Sequence, residues 1–204
     1  IEKPHAAVSI FNFHYASPPD AVAENYALNK VIGDDETGFN GTDDLAYRTE
    51  AWDFILAGGG LFNHLDYSFV AGKEDGTFLY LKTQPGGGSA GFRQQMKVLR
   101  EFMSSFDFIR MKPDNSVIQG GIPEGGTARA LVEPGKAIAL YLRSGKTAAT
   151  ALRIGLPQGS WVAEWVNPHS GAISGKVQGG GVREIKVPAH EQDIALRITS
   201  GRPE

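Results

Sequence analysis

The spacing of apolar residues changes near residue 112, and that change restricts the chain to a fold with two unlike halves. Before it, apolar runs alternate with helical patterns. Ala7 to Phe13 reads as a buried strand ending at His14-Tyr15, and Ser17-Pro18-Pro19-Asp20 reads as a helix start with Ser17 as cap. A short strand, Lys30 to Gly33, runs into Asp34-Asp35-Glu36. Thr42-Asp43-Asp44 caps a second predicted helix through Leu56, closed by Gly58-Gly59-Gly60. Leu61 to Leu65 is a third predicted strand, followed by Asp66-Tyr67. Phe92, Met96, Leu99, Phe102, Met103 and Phe106 fall at helical spacing, which predicts a helix over 89–106. Strands alternating with helices imply parallel strands joined by helical crossovers.

Beyond the change the grammar is that of short strands. Runs at 128–132, 137–142, 148–154, 161–166, 172–177, 182–187 and 194–198 are separated by Glu-Pro-Gly, Ser-Gly-Lys, Pro-Gln-Gly, Asn-Pro-His-Ser-Gly and Gly-Gly-Gly. That pattern predicts an antiparallel β-sandwich. The expected organisation is therefore α/β plus all-β: an α/β half over 1–111, a Pro- and Gly-rich link over 112–126, and a sandwich over 127–204.

Composition removes several classes of function. The net charge of −3 gives no footprint for a nucleic-acid partner. With no cysteine, disulfide frameworks and thiolate metal sites are excluded. No apolar run is long enough to span a membrane, and no signal peptide is visible. The chain starts at Ile1 without an initiator Met, so the expectation is a processed or truncated product.

In parallel α/β sheets and barrels, chemistry sits at the carboxyl ends of strands. His14-Tyr15, Asp34-Asp35-Glu36 and Asn63-His64-Asp66-Tyr67 each follow a predicted strand, so they are expected on one rim. A carboxylate held there among His, Asn and Tyr can act as nucleophile, base or metal ligand. An acid after a strand is also a common helix cap, the reading for Asp43 and Asp44, and the pattern alone leaves the three acids open between these roles. Metal ligation is disfavoured because neither an H-x-x-x-H nor an EF-hand spacing is present. Gln84 to Ser89 imitates a phosphate loop but lacks its Gly-Lys-Ser/Thr ending, so it reads as a turn. Trp161 and Trp165, four apart, share one strand face; core packing is the reading favoured over a sugar platform.

The segments FNFHYASPP, IGDDETGFNGTDD, AWDFILAGGGLFNHLDYSF and FDFIRMKPDNSVI resemble the C-terminal part of bacterial TIM-barrel glycoside hydrolases, cellulase-like members of the retaining clan. ARALVEPGKAIALYLRSG and AEWVNPHSG resemble the β-sandwich that follows such barrels, a type labelled collagen-binding. The resemblance implies that the three predicted strands are the sixth, seventh and eighth of a (β/α) TIM-type barrel. It implies that Glu36 is the catalytic nucleophile, with His14, Tyr15, Asp35, Asn63, His64, Asp66 and Tyr67 as substrate-side neighbours. No cofactor and no metal are implied.

The sequence departs from that pattern in one respect. Retaining hydrolysis needs a second carboxylate about 5–5.5 Å from the nucleophile, which the clan carries in an Asn-Glu pair after the fourth strand. This chain has no Asn-Glu dipeptide, and a whole barrel takes about 250 residues. Asp66 is a poor substitute. The expectation is a partial enzyme, inactive alone, whose partners are a carbohydrate and either a missing N-terminal barrel part or a second chain, in a secreted or periplasmic setting. The alternative is a non-catalytic carbohydrate- or matrix-binding module.

Overall fold

A computed structural model describes residues 1–79, 81–156 and 159–201. The chain divides into two compact units, Ile1–Met96 and Lys97–Glu204.

The first unit is built on a three-stranded parallel sheet in the order β1 (Ile10–His14), β2 (Val31–Glu36), β3 (Leu61–Phe62). Helix α1 (Asp20–Asn25) connects the first two strands and α2 (Asp44–Leu56) the second two. α1 begins later than the sequence predicts, and Pro19 at its N-cap position makes no side-chain cap bond. The reason is steric: Pro19 disfavours the helical conformation for the residue before it, so Pro18 cannot be the first helical position. Phe11, Phe13, Ile32 and Phe62 turn one face of the sheet toward Val22 of α1 and Phe54 of α2, forming this unit's core. Ile10, Asn12, His14 and Val31 are exposed.

α2 is buried on nearly every side, Tyr47, Ala51, Trp52, Phe54 and Leu56 being closed to solvent. It ends at a turn where Gly59 is required, because a Cβ there would lie 2.3 Å from the Phe54 ring. β3 is shorter than expected. Asn63 turns its side chain back to accept from the Leu65 N–H at 2.9 Å, and Leu65 adopts φ +60, so extended pairing stops. Helix α3 (Phe92–Ser104) starts three residues after Ser89. Ser89 is instead held by Asp44, which accepts from its N–H and its hydroxyl at 2.6 Å each. Asp44, expected as a cap of its own helix, thus ties down the glycine loop, and Asp43 makes no cap bond.

The second unit holds two antiparallel sheets. The larger runs β10 (Ile173–Gly179), β9 (Trp161–Val166), β12 (Asp193–Ser200), β7 (Ala137–Arg143), β6 (Thr127–Glu133), β4 (Lys112–Pro113). The smaller runs β11 (Val182–Lys186), β8 (Ala151–Gly155), β5 (Ile118–Gly120). Leu140 and Leu142 of β7, Leu152 and Ile154 of β8 and Leu196 of β12 meet in one core shared by both sheets. Trp161 and Trp165 lie in that core, and Trp165 donates to the Lys186 carbonyl at 3.1 Å. The segment read as a link contributes β4 and β5, two edge strands too short to leave a periodic signal. Among the described residues, no helix is long and apolar enough to cross a membrane.

Candidate active site

Strand alternation would send Asp35 and Glu36 to opposite faces of the sheet. A register shift prevents this. Phe13 pairs with Asp34 and His14 with Glu36, so Asp35 is an extra residue on β2. Bulges of this kind re-aim side chains and occur next to active sites. Here both carboxylates reach the same imidazole: His14 Nε2 is 3.2 Å from Asp35 Oδ1, and His14 Nδ1 is 3.4 Å from Glu36 Oε2.

Tyr15 completes the group. Its hydroxyl donates a short hydrogen bond to Glu36 Oε1, and its N–H donates to the Glu36 carbonyl at 2.7 Å. That side-chain bond, with lesser contributions from burial and the Glu36 charge, pushes the tyrosine up to about 12. Tyr15 is therefore a permanent donor at neutral pH. Its backbone sits at φ +57, a region that a bulky residue occupies only when its surroundings hold it there.

Asp34 points the other way. It is fully buried, and neither carboxylate oxygen completes a side-chain hydrogen bond of good geometry. Burial pushes it up to about 6, against a smaller opposing pull from the backbone N–H groups of Ala16 and Glu36. Glu50 on α2, which the sequence reading does not single out, is pushed up to about 7 by burial and by the charge of Asp34. The signal for it is its place on the helix, three residues after Tyr47 and four before Phe54, both fully buried. A carboxyl on that stripe cannot be fully solvated.

Solved structures with related folds frame this geometry. One described as a glycoside hydrolase superposes with a TM-score of 0.60 at 18% identity, over 86% of this chain and 43% of that one. A glycoside hydrolase family 5 protein from Bacteroides vulgatus gives 0.59 at 18%, over 86% and 42%. A GH30 endoxylanase from Clostridium papyrosolvens gives 0.56 at 12%, over 95% and 49%. The chain shares its fold with parts of glycoside hydrolases. It spans less than half the length of each of these structures. No protein-family model matches it, and no curated protein matches it in sequence.

The other rim residues divide by what they touch. The Asn63 side chain is spent on its own turn. His64 is packed edge-on against Phe92, with ring centroids 4.5 Å apart, and beside Tyr47. Burial lowers its pKa, which favours the neutral ring. Asp66 accepts from Ser68 N at 2.9 Å and from Arg93 Nε at 3.0 Å. Burial alone would raise its pKa, but the bonds from Ser68 and Arg93 outweigh it and hold the carboxyl below its ordinary value. Such a group is a structural anion, unsuited to protonating a leaving group. Tyr67 is exposed and close enough to Tyr15 to interact electrostatically.

The glycine loop is not a phosphate cradle. Gly86 N–H donates to the Thr37 carbonyl and Gly88 N–H to that of Gly41, both at 2.8 Å. The donors a phosphate would need are thus spent on the segment that follows Glu36. Among the described residues, no three His, Asp or Glu side chains are placed to hold a metal ion.

Proposed function

We propose that this chain is the C-terminal portion of a retaining glycoside hydrolase acting on a poly- or oligosaccharide, with Glu36 as nucleophile. In this reading β1, β2 and β3 are the last three strands of a TIM-type barrel, and the second unit is its accessory β-sandwich. The observation that carries it is the setting of Glu36: a carboxylate at the carboxyl end of a parallel strand, bonded by the Tyr15 hydroxyl and flanked by His14. The fold shared with glycoside hydrolases supports it.

Glu36 attacks the anomeric carbon, and the bond to the leaving oxygen breaks as a second carboxylic acid protonates that oxygen. Water then hydrolyses the glycosyl–enzyme ester, with the second group acting as base. Tyr15 keeps one Glu36 oxygen in place and leaves the other toward the substrate. Asp35 steadies His14 at ion-pair distance, and Tyr67 borders the sugar. The acid/base and the remaining subsites belong to the rest of the barrel, in the same parent protein or in a second chain. The chain alone is accordingly expected to lack turnover, since general acid catalysis contributes about 10²–10⁴-fold. A polymeric substrate places the parent protein outside the cell or in the periplasm.

The test is Glu36→Ala in the protein carrying the whole barrel. Turnover of an aryl glycoside should vanish with the fold intact, and added azide or formate should partly restore it by taking the nucleophile's place. Retained activity in Glu36→Ala, with loss in Asp35→Ala, would move the nucleophile by one residue.

A further inference from the structure

Phe39 has no part in the chemistry just described, yet its placement is unusual. It sits at φ +63, as disfavoured for an aromatic residue as the conformation of Tyr15. Such conformations persist only where the surroundings impose them. The core does not impose this one, for Phe39 is 51% exposed.

The backbone on either side is what holds it. Phe39 N–H donates to the Gln84 carbonyl at 3.2 Å, and the Gln84–Ser89 segment is bonded in turn to Thr37 and Gly41. Asn40 N–H donates to the Tyr47 hydroxyl at 3.1 Å, and its side-chain amide donates to the Gly38 carbonyl at 2.7 Å. Gly38 lets the Tyr15 ring lie against the main chain; a Cβ there would be 2.9 Å from that ring. The outcome is a pair of exposed rings, Phe39 and Tyr15, 5.8 Å apart and tilted by 32°, with the Tyr15 hydroxyl on Glu36.

We infer that Phe39 is a substrate-positioning residue whose ring face stacks on the apolar C–H face of the sugar unit next to the one at Glu36. This rests on the carbohydrate reading of the site. A pyranose presents C–H groups on its faces and hydroxyls at its edges, so it needs an aromatic face and a polar rim side by side. The strip from Phe39 through Tyr15 to Glu36 supplies both. A ring whose backbone is already fixed loses little freedom on binding, which favours affinity.

The test is saccharide binding by the protein carrying the whole barrel, titrated with non-hydrolysable thio-linked cello- and xylo-oligosaccharides and followed by NMR, alongside thermal unfolding. Phe39→Ala and Phe39→Gly should both bind about tenfold more weakly, the scale of one aromatic contact, and Phe39→Trp should retain binding. Phe39→Gly should unfold at a higher temperature than Phe39→Ala, because glycine tolerates positive φ; that order separates the ring's role from the backbone's. Wild-type affinity in Phe39→Ala, loss of affinity in Phe39→Trp, or no saccharide bound by the wild-type protein with its whole barrel would overturn the inference. The readout is binding and not turnover. Binding that depends on Phe39, in a protein whose Glu36→Ala variant keeps its activity, would remove the nucleophile assignment and leave this inference standing.

Discussion

Replacing Asp34 by Asn should flatten the pH dependence of stability in the first unit. Asp34 is fully buried, and its carboxyl is raised from 3.8 to about 6 in the folded chain. Below 3.8 it is neutral both folded and unfolded, so burial carries no charge penalty. As pH rises the unfolded chain releases this proton first, and stability falls. Above about 6 the whole penalty is in place. At about 1.4 kcal/mol per tenfold, the gap between 3.8 and about 6 corresponds to about 3 kcal/mol. Asn has nearly the same shape and cannot ionise, so its curve lacks this slope. Its amide brings a cost of its own, about 1–3 kcal/mol if its hydrogen bonds go unmade, but that cost does not vary with pH. The observable is therefore the change in the difference between the two proteins, up to about 3 kcal/mol between acid and neutral pH. Urea unfolding measures it, with α2 followed separately by hydrogen exchange because the chain has two compact units. Glu50, raised first by burial and then by Asp34, should titrate lower in the variant. Parallel stability curves for wild type and Asp34→Asn would refute the reasoning.

Three further outcomes are expected. In Glu36→Gln the Tyr15 phenol, held up near 12 chiefly by its bond to the Glu36 carboxylate, should ionise at lower pH; an NMR titration that shows no change would mean the bond is not formed in solution. Gly87→Ala should destabilise the first unit by more than about 1 kcal/mol, because Gly87 has φ +136 and a Cβ there would lie 2.2 Å from the Gly41 carbonyl oxygen; denaturant unfolding reads this directly. Among the described residues no further strand pairs with β1 or β3 at the edges of the parallel sheet, and open edges recruit partners, so light scattering should find the chain associated with a second copy or with added N-terminal barrel; a compact, cooperatively folding monomer would contradict this.

The second unit was the more legible half. Alternation and glycine- or proline-bearing turns place its long strands to within a few residues, and the burial of both tryptophans follows from their shared face. β4 and β5 escape because two or three residues carry no period and their pairing comes from β6 and β8. In the first unit, a row of polar residues after each strand marks the rim, and the structure brings His14, Tyr15, Asp35 and Glu36 together there. It does not gather His64 and Asp66 into that cluster, because rings and an arginine distant in sequence claim them. Alternation along β2 separates Asp34 from its neighbours correctly but fails between Asp35 and Glu36, where the inserted residue cancels it. Glu50 was missed because a charged residue on a helix looks solvated; its place between Tyr47 and Phe54 marks it only once both are known to be buried.

The order of strands in the larger sheet has a consequence for how the protein is made. β12 lies between β7 and β9, so the last strand in sequence joins two blocks that are synthesised earlier. β7 reads Ala-Ile-Ala-Leu-Tyr-Leu-Arg and is buried along almost its whole length in the finished unit. From the end of β7 at Arg143 to the start of β12 at Asp193 is 50 residues (193 − 143). At about 5–20 residues per second that is roughly 3–10 s of translation. During that interval an apolar strand of high β-propensity waits with one edge unpaired, beside other nascent chains in the same state. Slower translation lengthens the exposure, and a chaperone that shields residues 137–143 until β12 emerges would shorten it.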